Sequence, residues 1–256
     1  MSVAIAARTG SKVFCEISGS GTNGYLLLHG WCCDHVSMRP VARHLAQHGR
    51  VANMDLRGHG RSTLDAPGYS SADVVGDMAA VIELAELTAP VIIGHSLGAK
   101  FALAFAASRP REARAIVLLD TSIVESQQRQ ATRLELAQRG SPADRRARLE
   151  GMFLPTDRSA RRERMIAEML ATPAGVSVAA LRAGDGVDTA RALASCQVPV
   201  LYVAASRPME DPALMRNLYP PLSYGQVVGS SHFVQLDAPE QVNSMIDRFV
   251  RLHGHA

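Results

Sequence analysis

Ser96 stands at the centre of Gly94-His95-Ser96-Leu97-Gly98, with the apolar run PVII before it and the helix-like stretch LGAKFALAFAASR after it. A serine on a sharp strand-to-helix turn presents its hydroxyl for nucleophilic attack, and glycines two residues either side remove side chains that would collide there. The N-terminus of the helix that follows points its N–H groups and the positive end of its dipole toward charge developing at the serine. The chemistry this implies is acyl transfer through a covalent intermediate. A glycine-rich turn capped by a serine could be written in the same letters; a strand before and a helix after are what distinguish the elbow.

Two further groups belong to that chemistry. In LLLHGWCCDH, His29-Gly30 closes an apolar run, where a backbone amide can face the nucleophile and hold an oxyanion; the expected donors are the amides of Trp31 and Leu97. His29 itself is expected to brace the loop by hydrogen bonds, and the Trp31 ring either lines a pocket or packs. In GSSHFVQLDAPEQV, His232 follows the strand-like QVVG and precedes a helix beginning near Pro239. That loop and the order serine then histidine make His232 the expected general base.

These residues need a scaffold that brings strand ends together. Short apolar runs (YLLLH from Tyr25, VANM from Val51, PVIIG from Pro90, AIVLL from Ala115, PVLYVA from Pro199) alternate with longer helical patterns. Runs so continuously apolar suit strands covered on both faces. The expected fold is therefore a doubly wound, mostly parallel α/β sheet, whose sites form outside the carboxyl ends of the strands. From Thr121 to Leu193 the alternation stops and Arg, Glu, Ala and Gln recur at helical spacing. We read 121–193 as a helical lid inserted into a core of 1–120 and 194–256, too short and polar for a core of its own.

The 256 residues, 47% hydrophobic and 20% charged, suit one large domain. A net charge of +3 without basic runs, and few aromatics, argue against nucleic acid as a partner. No apolar run approaches the twenty residues of a membrane span, and the N-terminus has no secretory pattern. The four cysteines show neither metal-ligand spacing nor disulfide density. A cytoplasmic enzyme acting on a small molecule fits, with no metal or cofactor implied and with monomer and homodimer both open.

In order along the chain, His29-Gly30, the segment Asp55-Leu56-Arg57-Gly58-His59-Gly60-Arg61-Ser62, the elbow around Ser96 and Ser231-His232-Phe233 together resemble the landmarks of the α/β-hydrolase fold superfamily over nearly the whole chain. The resemblance implies that Asp55, Arg57 and His59 are scaffold. It also implies a catalytic acid after the PVLYVA strand, yet Pro208 occupies that place, and proline cannot orient a histidine. Glu210 and Asp211 follow, where acids before a helix also serve as caps. The alternative loop, after AIVLL, offers Asp120 and keeps the order Ser, Asp, His. Asp120 is the preferred acid and Glu210 the alternative. Lys100, where the family often has a second glycine nearby, is expected to point outward or to tune the local potential. The function expected is a serine hydrolase acting on a small carboxylic ester or lactone. HGWCCDH and the early acid also resemble cofactor-independent dioxygenases of 3-hydroxy-4-quinolones, in which a His–Asp dyad, here His232–Asp120, would deprotonate the substrate. Leu97 and Ala99-Lys100 argue for the esterase.

Overall fold

The computed structural model describes residues 2–6, 11–64, 68–157 and 159–253. Eight strands, β1 (Ser2–Ala6), β2 (Lys12–Ser18), β3 (Gly24–Leu28), β4 (Arg50–Met54), β5 (Val91–His95), β6 (Ala115–Leu119), β7 (Val200–Ala204) and β8 (Ser223–Gln226), form one sheet in the order β1-β2-β4-β3-β5-β6-β7-β8. β1 pairs with β2 and β2 with β4 antiparallel; from β4 to β8 all pairs are parallel. The fold is that of an α/β hydrolase. The strands β3, β5, β6 and β7 are buried along their whole length, as the apolar runs require. Their side chains alternate between two cores: Leu26, Ile92 and Leu118 lie in one, and Leu27, Ile93 and Val117 in the other.

The first core is covered by α2 (Ser71–Leu84) and α3 (Leu97–Ser108), with Met215 of α9 (Pro212–Leu218) added to it, the second by α1 (Arg39–Leu45) and α11 (Pro239–His253). A short 3-10 turn (His35–Met38) leads into α1, and the four-residue α10 (Val234–Asp237) leads into α11. β8 ends at Gln226, so QVVG is strand only in its first residue. Val227 is still tied to the sheet edge through its amide and the Ala204 carbonyl.

Between β6 and β7 lie α4 (Gln127–Arg139), α5 (Pro142–Glu150), α6 (Ala160–Ala171), α7 (Ala174–Asp185) and α8 (Thr189–Ala194). Ser126, Ser141 and Ser159 each cap the helix that follows by accepting from an N3 amide. A boundary at residue 193 would cut α8, whose Leu193 is buried in the sheet core. The helices do have a core, but a shared one: Leu149, Phe153, Ile166 and Met169 pack against Cys32, Cys33 and Phe233 from the sheet's own loops. Their few apolar residues are buried by borrowing partners from the site. No single helix among the described residues is long and apolar enough to cross a membrane.

Candidate functional site

The register puts the ends of three adjacent strands side by side: Leu28 of β3 opposes Gly94 of β5, and His95 opposes Leu119 of β6. Within two residues of these ends stand Gly30, Ser96 and Asp120. Ser96 holds φ 51 and ψ −113, and its amide donates to the Leu119 carbonyl at 3.0 Å. The flanking glycines are needed for space. A Cβ on Gly94 would stand 2.4 Å from the Gly98 carbonyl group, and one on Gly98 would stand 2.5 Å from the Leu28 carbonyl oxygen. Asp120 (φ 39) and Cys32 (φ 55) are left-handed as well. Three of the five described non-glycine residues with positive φ thus lie on the loops that meet here, the other two, Glu86 and Ala89, lying in the turn before β5.

Asp120 is buried, and both its oxygens are used: Oδ2 accepts from His232 Nδ1 at 2.8 Å and Oδ1 from the Ala205 amide at 3.0 Å. A carboxylate only accepts, so His232 Nδ1 is the donor in this bond, and Nε2 is the ring nitrogen left over. His95, next to the serine, donates from Nε2 to the His232 carbonyl at 2.9 Å, and the two rings pack 4.7 Å apart. Burial, and then the neighbouring His232, push the His95 imidazole well below its ordinary pKa; it is a neutral strut.

Glu210 is occupied elsewhere. Its Oε2 accepts from the amides of Ile123 and Val124 at 2.9 and 2.7 Å, tying the start of the helical insertion to the loop after β7. Pro208 lies exposed on that loop.

Leu97 follows Ser96 directly, and Trp31 follows Gly30. Leu97 opens α3, where the first amides have no intrahelical acceptor. Among the described residues neither the Trp31 amide nor the Leu97 amide has a protein acceptor. Gly30 backs directly onto the elbow, since a Cβ there would stand 2.7 Å from His95 Nδ1 and 3.4 Å from the Ser96 Cβ. The Trp31 indole both packs and hydrogen-bonds, donating to the Ser177 carbonyl of α7 at 3.0 Å. His29 braces the loop as expected: Nδ1 donates to the Gly30 carbonyl and Nε2 accepts from the Leu56 amide. Asp55 accepts from the His35 ring and the amides of His35 and Arg61, and buried Arg57 grips Asp77 with two bonds. Both are scaffold. Cys32 and Cys33 are buried free thiols, and burial pushes the Cys32 thiol up to about 11.

Of the two alternatives for Lys100, pointing outward or tuning the local potential, the structure removes the first. It is buried, and its ammonium reaches Glu125 at 3.3 Å and Asp185 at 3.4 Å, while Arg133 of α4 binds the same two carboxylates. Burial raises the Glu125 carboxyl, but Arg133 and Lys100 override it and hold the group below its ordinary pKa. The quartet joins the elbow helix to α4 and α7. Sequence spacing gave no signal for it, because its partners are 25 and 85 residues from Lys100.

The helical insertion touches every loop of the site. A Cβ on Gly184 of α7 would stand 2.2 Å from Leu97 Cδ1; Thr172 donates to the Cys32 carbonyl; Met152 accepts from the His232 amide; Phe153 packs on Phe233 at 4.8 Å. A cavity of about 780 Å³ opens between α6 and the segment from Cys32 to Arg43, but Ser96, Asp120 and His232 do not line it. Among the described residues the only set of three histidine, cysteine or carboxylate side chains close enough to share an ion lies elsewhere, on α1, the turn after it, and α11.

A family model described as the alpha/beta hydrolase family matches residues 25–245. A pimeloyl-[acyl-carrier protein] methyl ester esterase from Xanthomonas oryzae pv. oryzae is 31% identical, covering 92% of this chain and 97% of the relative. A 2-(acetamidomethylene)succinate hydrolase from Mesorhizobium japonicum is 28% identical, covering 88% of this chain and 87% of the relative. Among solved structures, an esterase from Exiguobacterium antarcticum superposes with a TM-score of 0.87 at 20% identity, covering 98% of this chain and all of its own.

Proposed function

The chain belongs to the alpha/beta hydrolase family and is an enzyme of the hydrolase type; from that premise we propose that it is a serine hydrolase of small carboxylic esters or lactones, working through an acyl-enzyme on Ser96. The observation that carries the proposal is the 2.8 Å bond between His232 Nδ1 and buried Asp120, made one residue past the strand that pairs with the one leading into Ser96. The methyl ester esterase among the relatives supports the ester class.

In this reading Asp120 fixes the tautomer that leaves His232 Nε2 basic and stabilises the imidazolium once formed. Nε2 takes the Ser96 hydroxyl proton as Oγ bonds to the acyl carbon. The carbonyl oxygen, now anionic, lies between the Trp31 and Leu97 amides, each contributing on the order of 3 kcal/mol. Imidazolium returns the proton to the departing alkoxide. Water, deprotonated by the same nitrogen, then attacks the acyl carbon and releases the acid, restoring Ser96. The insertion from α4 to α8 acts as the lid that shapes the acyl site, since it contacts the Trp31, Leu97 and His232 loops together.

The test is a panel of p-nitrophenyl esters, lactones and 3-hydroxy-4-quinolones, followed for acid release and oxygen uptake in parent and Ser96→Ala protein. Acid release without oxygen uptake, lost on removing the hydroxyl, is expected. Oxygen uptake that survives Ser96→Ala would replace the hydrolase with the dioxygenase.

A further inference from the structure

His44 lies in the last turn of α1, His48 in the turn that follows, and Asp247 on α11. The chain stays helically spaced between the histidines: the amides of Ala46, Gln47 and His48 donate to the carbonyls of Ala42, His44 and Leu45. Residues four apart then share a face, and the two rings meet edge-on with centroids 5.2 Å apart. His44 Nε2 lies 2.9 Å from Asp247 Oδ2, and one ligand atom from each of the three residues lies within 4.8 Å of the others.

We propose that His44, His48 and Asp247 form a binding site for a divalent transition metal, Zn²⁺ by its donor set, with water in the fourth position. Two imidazole nitrogens and one carboxylate oxygen suit Zn²⁺. Mg²⁺ and Ca²⁺ need several oxygen ligands and would find one carboxylate. Tetrahedral Zn²⁺ with bonds of about 2.0–2.2 Å holds its ligand atoms about 3.3 Å apart. Atoms now within 4.8 Å of one another close that gap by side-chain rotation of about 1.5 Å.

The backbones need not move. Leu45 and Ile246, the chain neighbours of His44 and Asp247, are buried in one core that already locks α1 to α11. Such support is what a ligand site needs. The ion replaces the His44–Asp247 hydrogen bond with two shorter bonds and adds His48. It thereby staples the helix that follows the Trp31 loop to the one that follows the His232 loop. It shares no residue with the proposed hydrolytic site.

The test uses untagged protein stripped with EDTA and titrated with ZnCl₂ by calorimetry. One ion per chain with a micromolar Kd is expected, with a Tm raised by several degrees in excess Zn²⁺ because only the folded chain presents the three ligands together. MgCl₂ should leave Tm unchanged. His48 is exposed and His48→Ala keeps the His44–Asp247 bond, so its metal-free Tm should match the parent while Zn²⁺ affinity falls at least about tenfold, as loss of a ligand implies. The visible absorption of tetrahedral Co²⁺ should appear in the parent and vanish in His48→Ala. Absence of stoichiometric Zn²⁺ binding, or equal affinity in parent and His48→Ala, overturns the site.

Discussion

Replacing Lys100 by methionine probes the buried quartet. Methionine keeps the unbranched stem that packs in α3 and removes the ammonium, leaving two carboxylates, Glu125 and Asp185, to a single Arg133. Breaking a buried ion pair outright costs about 3–5 kcal/mol. Two features of the structure lower that figure. The Lys100 contacts are long, at 3.3 and 3.4 Å, and Arg133 keeps both oxygens of Glu125 at 2.9 Å as well as its bond to Asp185. A loss of about 2–3 kcal/mol follows for two weak charge-assisted bonds, or about 5–10 °C in Tm for a chain of this size. Adding Asp185→Asn to Lys100→Met removes the unpaired negative charge, so the double variant should recover at least about 1 kcal/mol relative to the sum of the single changes. The assay is thermal and urea unfolding of the parent, both single variants and the double. Strictly additive losses, or a Lys100→Met variant as stable as the parent, would show that the quartet is not one coupled unit.

Gly98→Ala places a Cβ 2.5 Å from Leu28 O and 2.6 Å from His29 O, about 1 Å inside ordinary contact; α3 must withdraw from β3, and ester kcat/KM should fall about a hundredfold as the Trp31 and Leu97 amides, the proposed oxyanion donors, separate, whereas unchanged kinetics would remove those amides from the proposed mechanism. Asp120→Asn should keep the fold and lower kcat by about three to four orders of magnitude, while Glu210→Gln, which weakens bonds to the amides of Ile123, Val124 and Asp211, should stay within about tenfold; the reverse result would put the acid on the other loop. The pH profile of stability follows from histidines held neutral: burial, then His29, pulls His59 down to about 3, and burial also lowers His29 and His95. Below the unfolded value of about 6.5 the unfolded chain takes up protons the native chain refuses, so stability falls with pH by up to about 1.4 kcal/mol per unit for each such histidine. Tm should therefore drop steeply from pH 6.5 toward 4.5, with a shallower drop in His59→Gln; a flat profile contradicts the neutral assignment.

The central strands and the helices between them were legible because burial on both faces writes itself as continuous apolar runs. The elbow was legible because its glycines answer a local collision. β1 and β2 were not read: β2, KVFCEIS, carries mixed polarity, and both are fixed by antiparallel pairing with their partners. β8, SYGQ, has no apolar pattern at all and is defined by pairing with β7. Asp120 could be proposed from strand order and the proline at 208, but its bond to His232 spans 112 residues, a closure only the fold supplies. The burial of Lys100 was missed for the same reason: a lysine reads as solvent-exposed until its counter-charges are known. The insertion looked too polar for a core because three of the seven buried residues of that core are residues 32, 33 and 233.

The central claim is that Ser96 forms a covalent acyl-enzyme with His232 as its base. Intact-mass spectrometry of the protein after a fluorophosphonate, followed by peptide mapping, tests it most directly. One phosphonyl group per chain on Ser96, absent in Ser96→Ala and slowed by orders of magnitude in His232→Ala, is predicted. An unlabelled Ser96 in protein that turns over its best substrate would contradict it.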